Sequence, residues 1–438
     1  MDQLQVGIAG CVVFLALTLW RVPIAYAMTI VGIGGLLLVY PVEAAFKFLT
    51  TGLFSYTSNF TLAALPLFIL MGSLAFFANL GRDAYDAAKA WFGRVPGGLA
   101  VATVYSSAIF GACSGSSLST VAVFSKIAVP EMKRAGYSTR LATGVVASAG
   151  CLDALIPPSI LLVFYGVLTE TSIGQLLVAG VMPGILYAVI MATAISLYAW
   201  LRPGAAPRVA TVDTSWTTRI QTARKLWAPA VLFLLVLGSI YAGWATPDEA
   251  AAVGVVGTLV VVFLRKEFDW QTAKRAAVES AQVSAMIFLL LGAGSIFSTF
   301  RSTTGVVSTV TSAVTSLDLP FWALMLAIVL LYLFLGAFLD AISMMVLTMP
   351  LVAPLIVDAD ASLVWFGVIV TMMMAIGAIT PPLGLNCFVM KGALGDQAEL
   401  RDIFQGALPF VGLMLFTVGI LIAFPEISLW LPELMRSR

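Results

Sequence analysis

No histidine occurs anywhere in the 438 residues. That absence removes imidazole metal sites, histidine proton relays and Ser-His catalysis. Charge is scarce as well. Only 10% of the residues are charged, less than half of the roughly 25% of a soluble domain, so most of the surface must face something other than water. The formal net charge is +1, which gives no bulk electrostatic reason to invoke nucleic acid. The four cysteines, Cys11, Cys113, Cys151 and Cys387, stand singly in apolar or small-residue stretches and form no CxxC pair. They offer neither a disulfide framework nor a zinc spacing. The opening Met1-Asp2-Gln3 lacks the basic region of a signal peptide, so Leu4–Trp20 is read as a retained first helix.

What is present is apolar sequence, 61% of the chain. Leu4–Trp20, Leu177–Leu201, Trp227–Tyr241, Phe321–Phe338 and Phe410–Phe424 are the clearest runs. A spanning helix needs roughly 20 apolar residues to cross about 30 Å of hydrocarbon, and about a dozen candidate segments of full or partial length can be found. Continuous runs, without short alternation, exclude an outer-membrane barrel. The expectation is an all-α polytopic membrane protein. Trp20, Trp91, Trp200, Trp227, Trp244 and Trp430 lie near segment ends, as interfacial anchors do. Basic residues cluster at Lys126, Lys133, Arg134 and Arg140, at Arg265, Lys266, Lys274 and Arg275, and in a central linker carrying Arg202, Arg208, Arg219, Arg224 and Lys225. The positive-inside rule places these clusters in the cytoplasm.

The linker at 202–225 divides the chain into similar halves, and a weak repeat relates them. The first half reads Gly111-Ala112-Cys113-Ser114-Gly115-Ser116-Ser117, then Pro130, then Asp153-Ala154-Leu155-Ile156-Pro157-Pro158-Ser159. The second reads Gly336-Ala337-Phe338-Leu339-Asp340, then Pro354, then Gly377-Ala378-Ile379-Thr380-Pro381-Pro382-Leu383-Gly384. Gly111 and Pro158 are 47 positions apart, Gly336 and Pro382 are 46, and the intervening prolines follow their glycines by 19 and 18. Helix breakers at matching spacing in two halves point to the binding site of a transporter, and an odd number of spans per half makes the repeat inverted.

A Pro-Pro pair removes two backbone donors and frees upstream carbonyls. In lipid these must find partners, and carbonyls at broken helix ends can coordinate a bare cation. Ser159 and Thr380 flank the two pairs, and Ser114, Gly115, Ser116, Ser117 and Gly336 face them in the repeat. Neutral oxygens at close quarters suit sodium. The bland alternative is that these small residues only let helices pack closely. Asp153 and Asp340 are carboxylates in apolar segments, which marks an ion path, a proton relay or a buried pair; the alternative is hydration near an interface. Asp340 follows Gly336 by one helical turn, beside the second proposed cation site. Arg301 has the donors to grip a substrate carboxylate, but a loop arginine anchored at the interface is the preferred reading.

These motifs resemble the large membrane subunit of tripartite ATP-independent periplasmic (TRAP) transporters, across essentially the whole chain. The likeness rests on Phe110–Ser117, the loop Pro130–Ser138, Leu155–Ile160, Asp340, Pro350, Pro354 and Ile376–Gly384. It implies an elevator-type, inverted-repeat transporter with two re-entrant hairpins, coupled to Na+ and needing no organic cofactor. It implies a bacterial inner-membrane location and three partners: a small four-helix membrane subunit, a periplasmic substrate-binding protein and an organic acid such as a C4-dicarboxylate or sialic acid. A first sodium site would fall on Ser114 and Ser117 with backbone around Asp153, Ile156 and Pro158. A second would fall on Gly336, Gly377, Thr380 and Leu383. Ser116, Asp340 and Arg301 are candidates for the substrate or ion path. Asp153 departs from the family pattern, where a small residue, commonly glycine, is expected.

The expected division is 1–95 as scaffold, 96–201 as a first transport unit, 202–225 as cytoplasmic linker, 226–275 as scaffold, 276–405 as a second transport unit and 406–438 as a C-terminal helix. Three other readings compete: a self-sufficient sodium/dicarboxylate or anion carrier, a passive channel, and an intramembrane aspartyl protease with Asp153 and Asp340 as its dyad.

Overall fold

A computed structural model describes residues 2–20, 22–57, 60–207 and 213–436. Arg208 of the linker lies outside the described residues. Among the described residues every regular element is helical.

Five helices are long and apolar enough to cross a membrane: Ile173–Leu201, Pro247–Leu264, Trp270–Thr303, Ala341–Asp358 and Leu400–Ala423. Two bent pairs, Ala64–Phe77 with Leu80–Phe92 and Trp216–Lys225 with Trp227–Tyr241, bring this to seven if each pair is one span. The other apolar segments form helices of 10–17 residues, among them Gly98–Ser114, Phe321–Gly336 and Leu363–Gly377. The dozen apolar segments therefore include only five to seven of full length. The rest are cut short by the glycine and proline breaks.

Start signals in the sequence explain where helices begin. Ser138, Ser159, Ser172, Ser215, Asp269, Asp340 and Ser362 each occupy an N-cap position and accept a hydrogen bond from a backbone N–H of the first turn. Thr246 and Glu249 form a capping box, with Pro247 as the first helical residue.

The helices pack into two groups. In one, Trp270–Thr303 runs along Ile24–Val39, Val42–Thr57 and Ala64–Phe77, and Pro247–Leu264 also packs on Ala64–Phe77. In the other, Leu400–Ala423 packs on Thr139–Ala149, and Ser117–Arg134 on Leu385–Leu394. The second group thus joins elements from both halves of the sequence. Two glycines set the closest approach: a Cβ on Gly144 would collide with the Gly406 carbonyl, and one on Gly406 with the Arg140 carbonyl. Small residues at such crossings are how helices bind one another without a hydrophobic drive.

Two expected boundaries need correction, because they fall inside continuous helices. Trp270–Thr303 runs through 275/276, and Leu400–Ala423 runs through 405/406. Leu400–Ala423 carries Pro409, which has no N–H to give the Gln405 carbonyl, yet the helix continues past it. Nor is 406–438 one helix: Glu426–Arg436 is separate and packs on Ile173–Leu201.

The linker is also more ordered than its composition suggests. Trp216–Lys225 is a helix. Arg219 lies over the rings of Trp91 and Trp216, at 5.5 and 5.1 Å, and donates to the Ala90 carbonyl. Asp213 accepts from the Thr218 hydroxyl and the Ser215 N–H, and these bonds hold its carboxyl below the usual range. The three basic clusters converge. Arg265 and Lys225 share Asp83, at 2.6 and 4.0 Å, while the Ser138 N–H donates to the linker's Ala205 carbonyl. The six tryptophans expected as anchors are all exposed.

Three outcomes follow. Gly144→Val forces apart the crossing with Gly406 and lowers stability by about 1–3 kcal/mol or more, read as a lower melting temperature in detergent. Gly412→Ala, on the same helix as Gly406 but with open space at its Cβ, leaves melting unchanged or slightly raised. A cysteine introduced at exposed Gly204 reacts with an impermeant thiol reagent in inside-out vesicles and stays unlabelled in intact spheroplasts.

Candidate functional site

The first break is built by a glycine and closed by a carbonyl. Gly98–Ser114 ends at Gly115, whose φ of +60° is the left-handed conformation that favours glycine. Ser117–Arg134 begins two residues later, with Ser116 as its N-cap. The Pro158 carbonyl packs into the space a side chain on Gly115 would fill. The Gly115 break and the Pro157-Pro158 break therefore meet tip to tip. Gly72, on the neighbouring Ala64–Phe77 helix, similarly admits the Ser114 carbonyl.

Asp153 lies in the short turn Gly150–Ala154 just before the prolines and is fully buried. Its Oδ2 accepts from the Ser114 hydroxyl at 2.8 Å and from the Thr120 hydroxyl. Its Oδ1 has no hydrogen-bond partner and lies against Gly111. The Ser116 N–H reaches the Ser114 Oγ at 3.5 Å. Ser117, in the first turn of its helix, presents its carbonyl toward Gly150. Ile156 is half-buried, its N–H bonded to the Leu152 carbonyl at 2.8 Å. Ser159 donates to the Ala154 carbonyl at 2.6 Å and caps the next helix. Ser114, Asp153 and Pro158, singled out from the sequence, are thus brought together with Ser117 and Ile156 alongside.

The second break uses the same parts. Phe321–Gly336 and Leu363–Gly377 end against each other, and a Cβ on Gly336 would sit 2.9 Å from the Gly377 Cα. The Thr380 hydroxyl donates to the Ile376 carbonyl at 2.7 Å, which leaves its oxygen lone pairs unspent. The Thr380 N–H bonds the Gly377 carbonyl at 3.2 Å, and the Leu383 N–H bonds the Ala337 carbonyl at 3.2 Å, tying the two tips. Gly384, at φ +42°, opens the helix Leu385–Leu394. The two breaks differ in burial. Pro157 and Pro158 are buried, whereas Pro381, Pro382 and Leu383 are exposed.

Two sequence readings are corrected. Asp340 is not one turn along the Gly336 helix, which ends at Gly336. Its carboxylate is the N-cap of Ala341–Asp358 and accepts from the Ser343 N–H at 3.1 Å. An aspartate before an apolar helix relieves the unpaired N–H groups of the first turn. Arg301 is not in a loop. It is in the last turn of Trp270–Thr303 and only 2% exposed. Asp153 and Asp340 bond to separate partners, the Ser114 and Thr120 hydroxyls for one and the Ser343 N–H for the other.

The halves touch through residues that sequence reasoning passed over. The Cys151 Sγ lies 3.2 Å from the Ala375 carbonyl, and the Asn386 Nδ2 lies 3.6 Å from the same sulfur. Asn386 is fully buried and its Oδ1 has no hydrogen-bond partner. A lone amide two residues past Gly384 in an apolar stretch was the available signal. Thr120 had one too, since it shares a helix face with Ser116 and Ser117. What these oxygens offer is a set of neutral ligands and one carboxylate, suited to holding a cation.

The sequence profile described as the DctM component of the tripartite ATP-independent periplasmic transporter matches residues 11–427. The C4-dicarboxylate TRAP transporter large permease protein DctM of Pseudomonas aeruginosa is 33% identical over 383 residues, 87% of this chain and 88% of that one. The isethionate TRAP transporter permease protein DctMQ of Oleidesulfovibrio alaskensis is 31% identical over 93% of this chain and 64% of its own length. The crystal structure of the Alcanivorax borkumensis YdaH transporter shares the fold, with a TM-score of 0.59 and 13% identity, over 98% of this chain and 100% of that one. The fold is that of a polytopic membrane transporter. The chain belongs to the DctM family of TRAP transporter large permeases.

The Ser114–Asp153–Thr120 cluster predicts a non-additive stability effect. Thr120→Val and Asp153→Asn, made singly and together in a Ser114 background, couple by about 0.5–3 kcal/mol. The measurement is the melting temperature of all four proteins. Strict additivity contradicts the shared hydrogen bonding.

Proposed function

We propose that this chain is the permease subunit of a sodium-coupled symporter that takes up an organic acid across a bacterial inner membrane. The observation that carries the reading is the convergence of two helix breaks, one from each half, each pairing a glycine terminus with a Pro-Pro terminus. Na+ travels here as a co-substrate. Ser114, Ser117 and the backbone at Asp153, Ile156 and Pro158 hold one ion. Gly336, Gly377, Thr380 and Leu383 hold the other. The unpartnered Oδ1 of Asp153 supports the first assignment, because a buried carboxyl oxygen without a donor is relieved by a cation beside it, as it also is by a proton. The small-residue alternative also describes part of the site, since Gly336 and Gly377 do pack closely. Close packing alone leaves the Asp153 oxygen unexplained.

The substrate class follows the relatives, whose names specify C4-dicarboxylate and isethionate. Both are organic acids. The partners follow the family: a small four-helix membrane subunit and a periplasmic binding protein that delivers the acid. The fused DctMQ relative fits a permease that works beside a second membrane component. Ser116, half-buried at the first break, borders the substrate path, and Asp340 acts there by capping the helix that starts at the second break. The broken elements, with Leu400–Ala423, move as one body against the scaffold that contains Trp270–Thr303. A self-sufficient carrier would transport without the soluble partner, and a channel without a sodium gradient.

Thr380→Val keeps the shape of the side chain and removes its oxygen. It costs about 1.5–3 kcal/mol of sodium binding, which raises the sodium concentration for half-maximal uptake roughly tenfold or more. Uptake is measured in proteoliposomes with the small subunit and the soluble partner present. Sodium activation equal to wild type rejects the second site. Robust uptake without the soluble partner favours the self-sufficient carrier.

A further inference from the structure

Arg301 is buried, charged and incompletely used. The Phe297 ring, one turn earlier, lies 4.9 Å from its Cζ and covers one face of the guanidinium. Nη1 donates to the Leu347 carbonyl at 3.0 Å. Nε and Nη2 have no hydrogen-bond partner. These two nitrogens form one edge of the guanidinium, so the free donors make a complete two-pronged fork, the geometry that grips a carboxylate or phosphate. No carboxylate pairs with Arg301 among the described residues. Arginine does not shed its proton to escape burial, and an ionisable side chain within a membrane segment calls for a partner.

A cavity of about 280 Å³ lies nearby, between the Arg301 helix and Ala341–Asp358, lined by Thr169, Ser295, Ser298, Val346 and Pro350 among others but not by Arg301 itself. Ser298 is one turn before Arg301, and Val346 precedes the residue whose carbonyl holds Nη1. Pro350 has no N–H to give the Val346 carbonyl. The cavity sits on the seam between the scaffold helix Trp270–Thr303 and the helix that follows the second break.

We propose that the Nε/Nη2 edge of Arg301 is an oxyanion site, binding a carboxylate or a phosphate by two parallel hydrogen bonds at this seam. A substrate acid and an anionic lipid headgroup present the same pair of oxygens. Only the substrate source rests on the organic-acid reading above, and neither rests on sodium.

The test uses the full chain in detergent, with potassium salts so that the outcome stands apart from sodium coupling. One arm titrates acetate and succinate against chloride at matched ionic strength. The other adds phosphatidylglycerol against phosphatidylcholine and reads retained lipid by native mass spectrometry. In both, the melting temperature of wild type rises saturably, and Arg301→Lys shifts the half-maximal concentration upward by about tenfold or more, since lysine keeps the charge and loses the fork. Ser298→Leu, which fills the adjoining cavity and leaves Arg301 in place, weakens the same response and serves where the lysine variant does not fold. A response to carboxylates alone assigns the substrate; a response to phosphatidylglycerol alone assigns a lipid headgroup. A wild type that responds to neither ligand, or a response undiminished in the variants, overturns the proposal.

Discussion

A polar backbone group inside a bilayer has no water to turn to, and the architecture follows from that constraint. Four helix termini are placed where a continuous span would have left none: at Gly115, before Pro157, at Gly336 and before Pro381. The chain answers by setting the breaks against each other. The Pro158 carbonyl occupies the hollow at Gly115, and the Leu383 N–H bonds the Ala337 carbonyl. Neither half completes its contacts alone, because Cys151 of the first lies against Ala375 and Asn386 of the second. The candidate site and the packing contacts between the two breaks thus share the same set of residues. Side chains there must stay small to let backbones meet, which is why Gly111, Gly115, Gly336 and Gly377 recur at the points of closest approach.

Outside the breaks, polar contacts join helix ends. Charged groups are few, and some are paired: Asp83 takes both Arg265 and Lys225, and Glu131 takes Lys89 at 2.8 Å. Half-exposed pairs such as Lys89–Glu131 contribute only about 0.2–1 kcal/mol each. Their value is positional: they tie the linker, and the last turns of Ser117–Arg134, where the sequence suggested a loop from Pro130, to neighbouring helices. Exposed tryptophans mark other segment ends, where an amphipathic ring settles at the headgroup level.

Much of this was legible in the sequence. Apolar runs gave the helical membrane fold, and the repeated spacing of Gly, Ser and Pro-Pro located both breaks before any contact was known. What escaped had physical reasons. Asp340 looked like an intramembrane carboxylate, yet its position directly before Ala341–Asp358 is that of a helix cap, and local capping outranks distance from Gly336. Arg301 looked like a loop residue because serines and threonines surround it. Those hydroxyls bond back to the carbonyls of their own helix, as Thr299, Thr303 and Thr304 do, so the helix continues through them. Thr120 and Asn386 were missed because a single polar residue shows its importance only through a partner distant in sequence, Asp153 for one and Cys151 for the other. The boundaries at 275/276 and 405/406 failed for a related cause: composition changes along a helix without interrupting it.

The central claim is that the two broken elements form one rigid body that moves against the scaffold. Leu118 and Phe388, both exposed, lie on the packed helices of the broken unit, and exposed Val253 lies on the scaffold helix Pro247–Leu264. Spin labels at these positions in proteoliposomes report the answer as distances, with sodium and with potassium. The account predicts one narrow Leu118–Phe388 distance that is the same in both salts, and a Leu118–Val253 distance that takes more than one value or shifts between them. A Leu118–Phe388 distance that changes while Leu118–Val253 stays fixed would contradict it and place the motion within the broken unit itself.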